Sequence, residues 1–376
     1  MLLDIGLVLQ SGRISSICYH AIMHVLYITR DLGNHGILRK WYRDIRRSFY
    51  FNEQDGFFEA SLCQIANVTE VTAAAVLGGA VDLNRFDATV INLKAKNFAD
   101  EQERFAFYKL CREQSDNPLA LFIGAAQAQH MLSDEVLDTF DVIFKREPFF
   151  DKDRYQIAER NKKKIVPSML SCPVQPIPRE NLLGSLYSFF SSKGSRSRER
   201  ANAVIRDVFF VGKMCSRHRL REDVVKRLVE DSNIDFAGGL LPHDSLSELR
   251  PPDDLSAKKL KGDSYISSIN AAKINLALDG IGQYTFRHQE LLSLGAFMMS
   301  GPSIREVELP VPLEEGKHYV AFDDLDDMVE KIRYYLAHED ERSKIAAAGK
   351  ALFDEYYDPV RHGALIKSRL LNMPGV

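Results

Sequence analysis

Long apolar runs are missing from this 376-residue chain. No stretch reaches the roughly 18 apolar residues that a membrane-spanning helix needs, so none is expected. Cysteine is scarce: Cys18, Cys63, Cys111, Cys172 and Cys215 are odd in number, far apart and without a CxxC pair. That speaks against a disulfide framework and a structural zinc site, and it fits a reducing, cytoplasmic compartment. Net charge is nearly absent, since 49 basic against 52 acidic residues leaves −3. Nothing therefore draws the chain as a whole to a polyanion, and nucleic acid is not an expected partner. Neither GxxxxGK[ST] nor a GxGxxG after a strand is present, which sets aside P-loop kinases and dinucleotide dehydrogenases. No repeat of 20 to 50 residues occurs. Residues 1–9 are apolar but short, contain Asp4, and lack a basic flank or cleavage site, so they read as a strand rather than a signal peptide.

What is present is an average globular composition, 45% hydrophobic and 27% charged, in a length that allows two or three domains. Short, almost wholly apolar runs alternate with helical stretches, as strands buried on both faces of a parallel sheet require. In the first half strands are expected at 4–9, 86–93, 119–123, 140–145 and 164–168. A helix at 100–114 carries Phe105, Tyr108, Leu110 and Cys111. From Cys172 onward three prolines, a Leu/Phe patch at 182–190 and a basic, serine-rich string to Arg200 mark a linker. A second series follows, with strands at 207–212, 234–237, 272–278, 297–300 and 319–322 and helices at 219–230, 286–294, 325–336 and 340–357. The domains are thus 1–171 and 206–357, joined by 172–205, with a last helix in 358–376 crossing back to the first domain. The fold class is α/β, two Rossmann-like domains facing a central cleft. Open parallel sheets bind ligands at the carboxyl ends of their strands, so the chemistry is expected in that cleft.

The most informative stretch runs from Ala272 to Met299. A strand enters a loop bearing Gly280 and Gly282, and then a helix with Arg287 in its first turn and Glu290 in its second. Free N–H groups at a helix start and an arginine beside them suit phosphate, and a carboxylate one turn on suits two ribose hydroxyls. The competing reading is a surface ion pair between residues three apart. Lys213, directly after Gly212, supplies a second cation for a leaving diphosphate. Of the basic residues behind it, His218, Arg219 and Arg221 read mainly as a solvated helix start, with Arg217 left open as a further cation.

Arg287-x-x-Glu290-x-x-x-x-Gly295, the following Phe297-Met-Met-Ser300 and the segment 315–336 resemble the C-terminal domain of the group 1 glycosyltransferases, nearest in flavour to the spore-maturation-protein-like branch. The resemblance covers about residues 206–357. It implies the two-domain GT-B fold, with 1–171 as the acceptor side and 206–357 as the nucleotide-sugar donor domain. It implies sugar transfer from a nucleotide-activated donor to a glycan, lipid-linked or other acceptor, with no metal and no cofactor beyond the donor. Glu290 falls at the ribose-binding glutamate, Arg287 at the branch's arginine and Lys273 at a basic position of the family. Gly212, Lys213, Tyr284 and Thr285 complete the expected donor-binding set. One position departs: better-known members have a second glutamate eight residues before the first, and here it is Gly282. An epimerase of the same fold and a non-catalytic nucleotide- or sugar-binding relative are the alternatives, and turnover separates them.

Two D-x-D patterns, Asp151-Lys-Asp153 and Asp324-Leu-Asp326, could hold a metal, but aspartates also favour helix starts. Leu38 to Phe49 forms an amphipathic helix with Arg39, Lys40, Arg43, Arg46 and Arg47 on one face. It is either a core-packed helix with a solvated basic back or a peripheral contact at the inner face of a membrane. A catalytic base belongs in the first domain, with candidates His20, His35, His130, Asp134, Glu147 and Asp151. His20, which follows the first strand's loop, is the choice.

Overall fold

The computed structural model describes residues 23–29, 45, 50–51, 53–175, 177–179, 181–186, 205–243, 245–246, 248–311 and 313–371. The expected strand at 4–9, His20, His35 and, apart from an exposed Ile45, the helix from Leu38 to Phe49 lie outside them.

Two parallel sheets organise the chain. The first contains β1 (Met23–Thr29), β3 (Ala66–Thr72), β4 (Ala88–Asn92), β5 (Leu119–Ile123), β6 (Val142–Arg146) and β7 (Ile165–Ser168), in the order β3-β1-β4-β5-β6-β7. Every residue of β4, β5 and β6 is buried, as strands covered on both faces must be, although only β5 is apolar throughout. β2 (Tyr50–Phe51) pairs antiparallel with β8 (Ile177–Pro178) outside this sheet. β1 and β3 were not expected as strands. β3, Ala-Asn-Val-Thr-Glu-Val-Thr, pairs only with β1 and is largely open to solvent, so it carries none of the apolar continuity that marked the others. Around the sheet lie α1 (Glu53–Cys63), α2 (Ala73–Leu77), α3 (Glu101–Glu113), α4 (Asp134–Leu137) and α5 (Glu159–Lys162). α3 starts where the Asp100 carboxylate accepts the Glu103 N–H, and it buries Phe107, Tyr108 and Cys111.

The second sheet, in the order β10-β9-β11-β12-β13, comprises β9 (Arg206–Lys213), β10 (Phe236–Leu241), β11 (Ala272–Ala277), β12 (Met298–Ser300) and β13 (Val320–Ala321). Its helices are α6 (Leu220–Glu230), α7 (Asp263–Asn270), α8 (Phe286–Leu294), α9 (Leu325–Ala337) and α10 (Glu339–Tyr356). The closing helix α11 (Pro359–Leu371) lies on the first domain. Ile366 and Leu370 join Phe58 and Leu62 of α1 in one apolar cluster, and Gly363 comes so close to α1 that a Cβ there would stand 2.5 Å from the Ser61 carbonyl oxygen. The domains also meet through an antiparallel bridge between Phe149 and Val307. Two Rossmann-like domains therefore face a central cleft.

Candidate functional site

β9 is flanked by β10 on one side and β11 on the other. The chain thus leaves β9 in one direction and returns past it in the other, which opens a crevice outside the carboxyl ends of β9 and β11. Phe210 forms its floor. The Arg221 and Arg287 guanidiniums lie 5.9 and 5.7 Å from the Phe210 ring centre, within the reach of about 6 Å at which a cation is attracted to an aromatic face.

Arg221, the second residue of α6, donates to the carbonyls of Lys213 (2.8 Å) and Leu278 (3.1 Å), tying together the ends of β9 and β11. Burial pulls its pKa down to about 10, so it stays charged at neutral pH. Gly280 leaves room for it, because a Cβ there would stand 2.7 Å from Arg221 Nη2. Arg287, the second residue of α8, donates to the Val211 carbonyl (2.5 Å) and also stacks over Tyr265, 4.9 Å away. One turn on, the Glu290 carboxylate lies 3.8 Å from Arg287 Nε and accepts the Tyr265 hydroxyl at 2.6 Å. Burial raises the Glu290 pKa, against the pull of Tyr265 and Arg287. With side chains only 15% and 12% exposed, Arg287 and Glu290 are not a surface ion pair.

Four polar atoms in this crevice are buried without a hydrogen-bond partner: Arg287 Nη1, Arg221 Nε, His218 Nδ1 and Asp279 Oδ1. Each such group costs about 1–3 kcal/mol, and a ligand atom would recover it. The other Asp279 oxygen accepts from the Ser303 hydroxyl, and burial raises the pKa of this carboxyl. Cys215 Sγ and His218 Nε2 lie 3.4 Å apart, both against the Gly280 carbonyl. Burial works to raise the Cys215 thiol, but hydrogen bonds to His218 and nearby backbone overcome it and bring the pKa to about 7.

The expected site residues divide. Gly212 and Lys213 end β9 at the crevice, and Arg287 and Glu290 line it. Thr285 caps α8, its N–H donated to His288 Nδ1 at 3.0 Å. Tyr284 points inward: its ring is buried and stacked on His288, 4.7 Å away, so its side chain faces the core rather than a ligand. Lys273 is not brought to the crevice at all. It pairs with Asp207 at 2.7 Å near the amino ends of β9 and β11, opposite the ends that bind ligands. Arg221 was misread as part of a solvated helix start, a reading that does fit Arg219, which is exposed and paired with Glu222. Tyr265 carried no sequence signal because Glu290 lies 25 residues on, and nothing in the sequence brought Cys215 and His218 to the Gly280 carbonyl, 65 and 62 residues away.

Both D-x-D patterns are helix starts. Asp151 accepts the Asp153 N–H at the head of a short 3-10 turn, and Asp324 accepts from Asp326 and Asp327 at the head of α9. Among the described residues no group of three or more His, Cys, Asp or Glu side chains is gathered to hold a metal ion, and no helix is long and apolar enough to cross a membrane.

Residues 217–366 match the model of the "Glycosyl transferase-like" family. That segment, less than half of the chain, is what resembles a glycosyltransferase in sequence. No curated protein matches the sequence. Among solved structures, a glycosyltransferase from Rickettsia africae is 8% identical, with a TM-score of 0.54 over 94% of this chain and all of that one. Anabaena HepE, solved with UDP, is 10% identical, with a TM-score of 0.51 over 93% of this chain and all of its own. TarM is 8% identical with a TM-score of 0.51, covering 80% of this chain and 58% of its own. At such identities the likeness is one of fold, and that fold is the GT-B architecture shared by these glycosyltransferases.

Proposed function

We propose that this glycosyltransferase binds a nucleoside diphosphate sugar at the carboxyl ends of β9 and β11 and transfers the sugar to a hydroxyl of a glycan, lipid-linked or other acceptor, without a metal. One observation carries the reading: a largely buried carboxylate, Glu290, stands one helical turn from a largely buried guanidinium with an unused N–H, beside a second such guanidinium at the same strand ends. A carboxylate accepts from both ribose hydroxyls at once. Arg287, Arg221 and Lys213 would hold the diphosphate. As the bond from the sugar's C1 to the diphosphate oxygen breaks, charge grows on that oxygen, and fixed cations at that point lower the barrier without reorganising. The HepE complex with UDP supports this class of donor.

The acceptor's hydroxyl forms the new bond to C1 and gives up its proton to a base. Of the candidates among the described residues, Asp134 is held by the Ala158 N–H and Asn161, Asp151 caps its turn, and Glu147 is buried. His130, in the loop after β5, is only half buried. Burial, aided by Lys145 and Arg104, lowers its pKa and leaves it neutral with a lone pair to offer. We assign it the base.

Calorimetry with uridine, guanosine, cytidine and thymidine diphosphates, with and without EDTA, tests the site. Glu290→Gln should weaken binding by about 1.5–3 kcal/mol, the scale of a charge-assisted hydrogen bond. Arg287→Ala should act mainly on kcat, because its contact strengthens in the transition state. Unchanged affinity in a folded Glu290→Gln protein, or activity that EDTA abolishes and magnesium restores, would refute the assignment.

A further inference from the structure

Glu147 is a buried carboxylate of the first domain that accepts a hydrogen bond from the second. It directly follows β6, and its backbone is left-handed, with φ 45°. One oxygen accepts the Tyr284 N–H at 2.5 Å, and the other accepts the Gln127 N–H at 3.2 Å. Its neighbour Arg146 donates to the Tyr284 carbonyl at 3.1 Å, so both backbone polar groups of Tyr284 are held by consecutive first-domain residues. The Ala128 N–H reaches Gln283 Oε1 at 3.3 Å. Position 282 completes the contact: a Cβ on Gly282 would stand 2.1 Å from Glu147 Oε1. The glycine at that position is thus a vacancy into which the first domain places its own carboxylate.

We propose that Glu147 is a positioning residue of the donor site, a carboxylate that reaches across the domain boundary to hold the loop from Gly280 to Tyr284 in its ligand-binding form. The inference rests on the donor-site reading above. Tyr284 immediately precedes the cap of α8, and Arg287 and Glu290 follow three and six residues on, so whatever fixes Tyr284 sets the start of the helix that carries both. The local cost argues that more than adhesion is at stake. The two non-glycine residues with positive φ among the described residues are Glu147 and Gln127, and they meet at this carboxylate. Each such backbone costs of the order of 1–3 kcal/mol and persists only where surroundings over-determine it. Lys145 and Arg146 are buried beside Glu147, with Lys145 Nζ on the Gln127 carbonyl at 2.9 Å. Well-packed apolar side chains join domains as firmly as buried charges do, so a charged, strained contact at this one loop points to setting its geometry.

The test uses the full chain and three variants. Glu147→Gly suits the left-handed backbone, Glu147→Gln keeps the length but accepts only one N–H, and Gly282→Ala leaves Glu147 in place while its Cβ evicts the carboxylate. Hydrogen exchange of the 279–286 segment is read without ligand, and affinity is read with whichever of the four nucleoside diphosphates binds the wild type best. Glu147→Gly and Gly282→Ala should each speed exchange at Tyr284 at least tenfold and weaken binding at least tenfold, with Glu147→Gln between them and wild type on both scales. Faster exchange with unchanged affinity would make Glu147 a domain contact only and overturn the proposal, as would exchange unchanged in all three. A wild-type chain that binds none of the four diphosphates would instead overturn the donor-site reading on which it stands.

Discussion

Acid should destabilise this protein through two histidines buried as neutral rings. His288, fully buried on α8, accepts the Thr285 N–H at Nδ1 (3.0 Å) and faces Ser300 Oγ with Nε2 (2.9 Å). His362 on α11 accepts the Met169 N–H at Nε2 (3.2 Å) and faces Ser61 Oγ with Nδ1 (2.9 Å). These partners define one tautomer for each ring, and a second proton would point at a backbone N–H. Burial brings both pKa values down to about 3, aided at His288 by Arg287, Arg221 and Arg146. Unfolded, each ring titrates near its usual value of about 6.5. The folded state therefore binds fewer protons between about 6.5 and 3, and stability present above 6.5 is lost as pH falls toward 3. At pH 5 the loss is about 1.5 pH units at 1.36 kcal/mol each, or about 2 kcal/mol per histidine. Burial raises the pKa of Glu147, Glu290 and Asp279, so these carboxyls gain stability on acidification and oppose the trend. The informative quantity is accordingly a difference between proteins. Urea unfolding followed by far-ultraviolet circular dichroism at pH 7 and pH 5 should show the pH-dependent loss shrinking by about 2 kcal/mol in His362→Gln and again in His288→Gln. Identical pH dependence in wild type and both variants would refute the reasoning.

Tyr265→Phe removes the hydroxyl that Glu290 accepts, and nucleoside diphosphate binding should weaken about tenfold, the value of one hydrogen bond to a charge. The defect should deepen as pH falls, since a buried carboxyl without that donor protonates more readily; calorimetry at pH 6 and 8 reads it. Gly238→Ala should cost about 3 kcal/mol or more in thermal unfolding, because φ at this position is 125° and the new Cβ would stand 1.7 Å from the Phe210 carbonyl oxygen across β9 and β10.

Local signals were legible in the chain itself. The apolar run Leu119–Ile123 is β5, and the helix expected at 286–294 is α8. The alternation of apolar runs with helical periodicity was enough to specify an α/β chain of two parallel-sheet domains, because each strand's burial on both faces is written into its own residues. The spacing of Arg287 and Glu290 was legible for the same reason, since three residues on a helix make one face. The edge strand β3 was not, because half of it faces water and its place is set by β1. Nor was the exclusion of Lys273, a basic residue whose end of the strand only the sheet decides. Arg221 became part of the crevice because two strand ends converge on its guanidinium, and Glu290 acquired Tyr265 from a neighbouring helix. The meeting of Glu147 with Gly282 depends on two domains closing on one another across 135 residues of chain. Periodicity and spacing record what a residue's near neighbours do; which charges end up facing one another is decided by topology, and only the folded chain contains it.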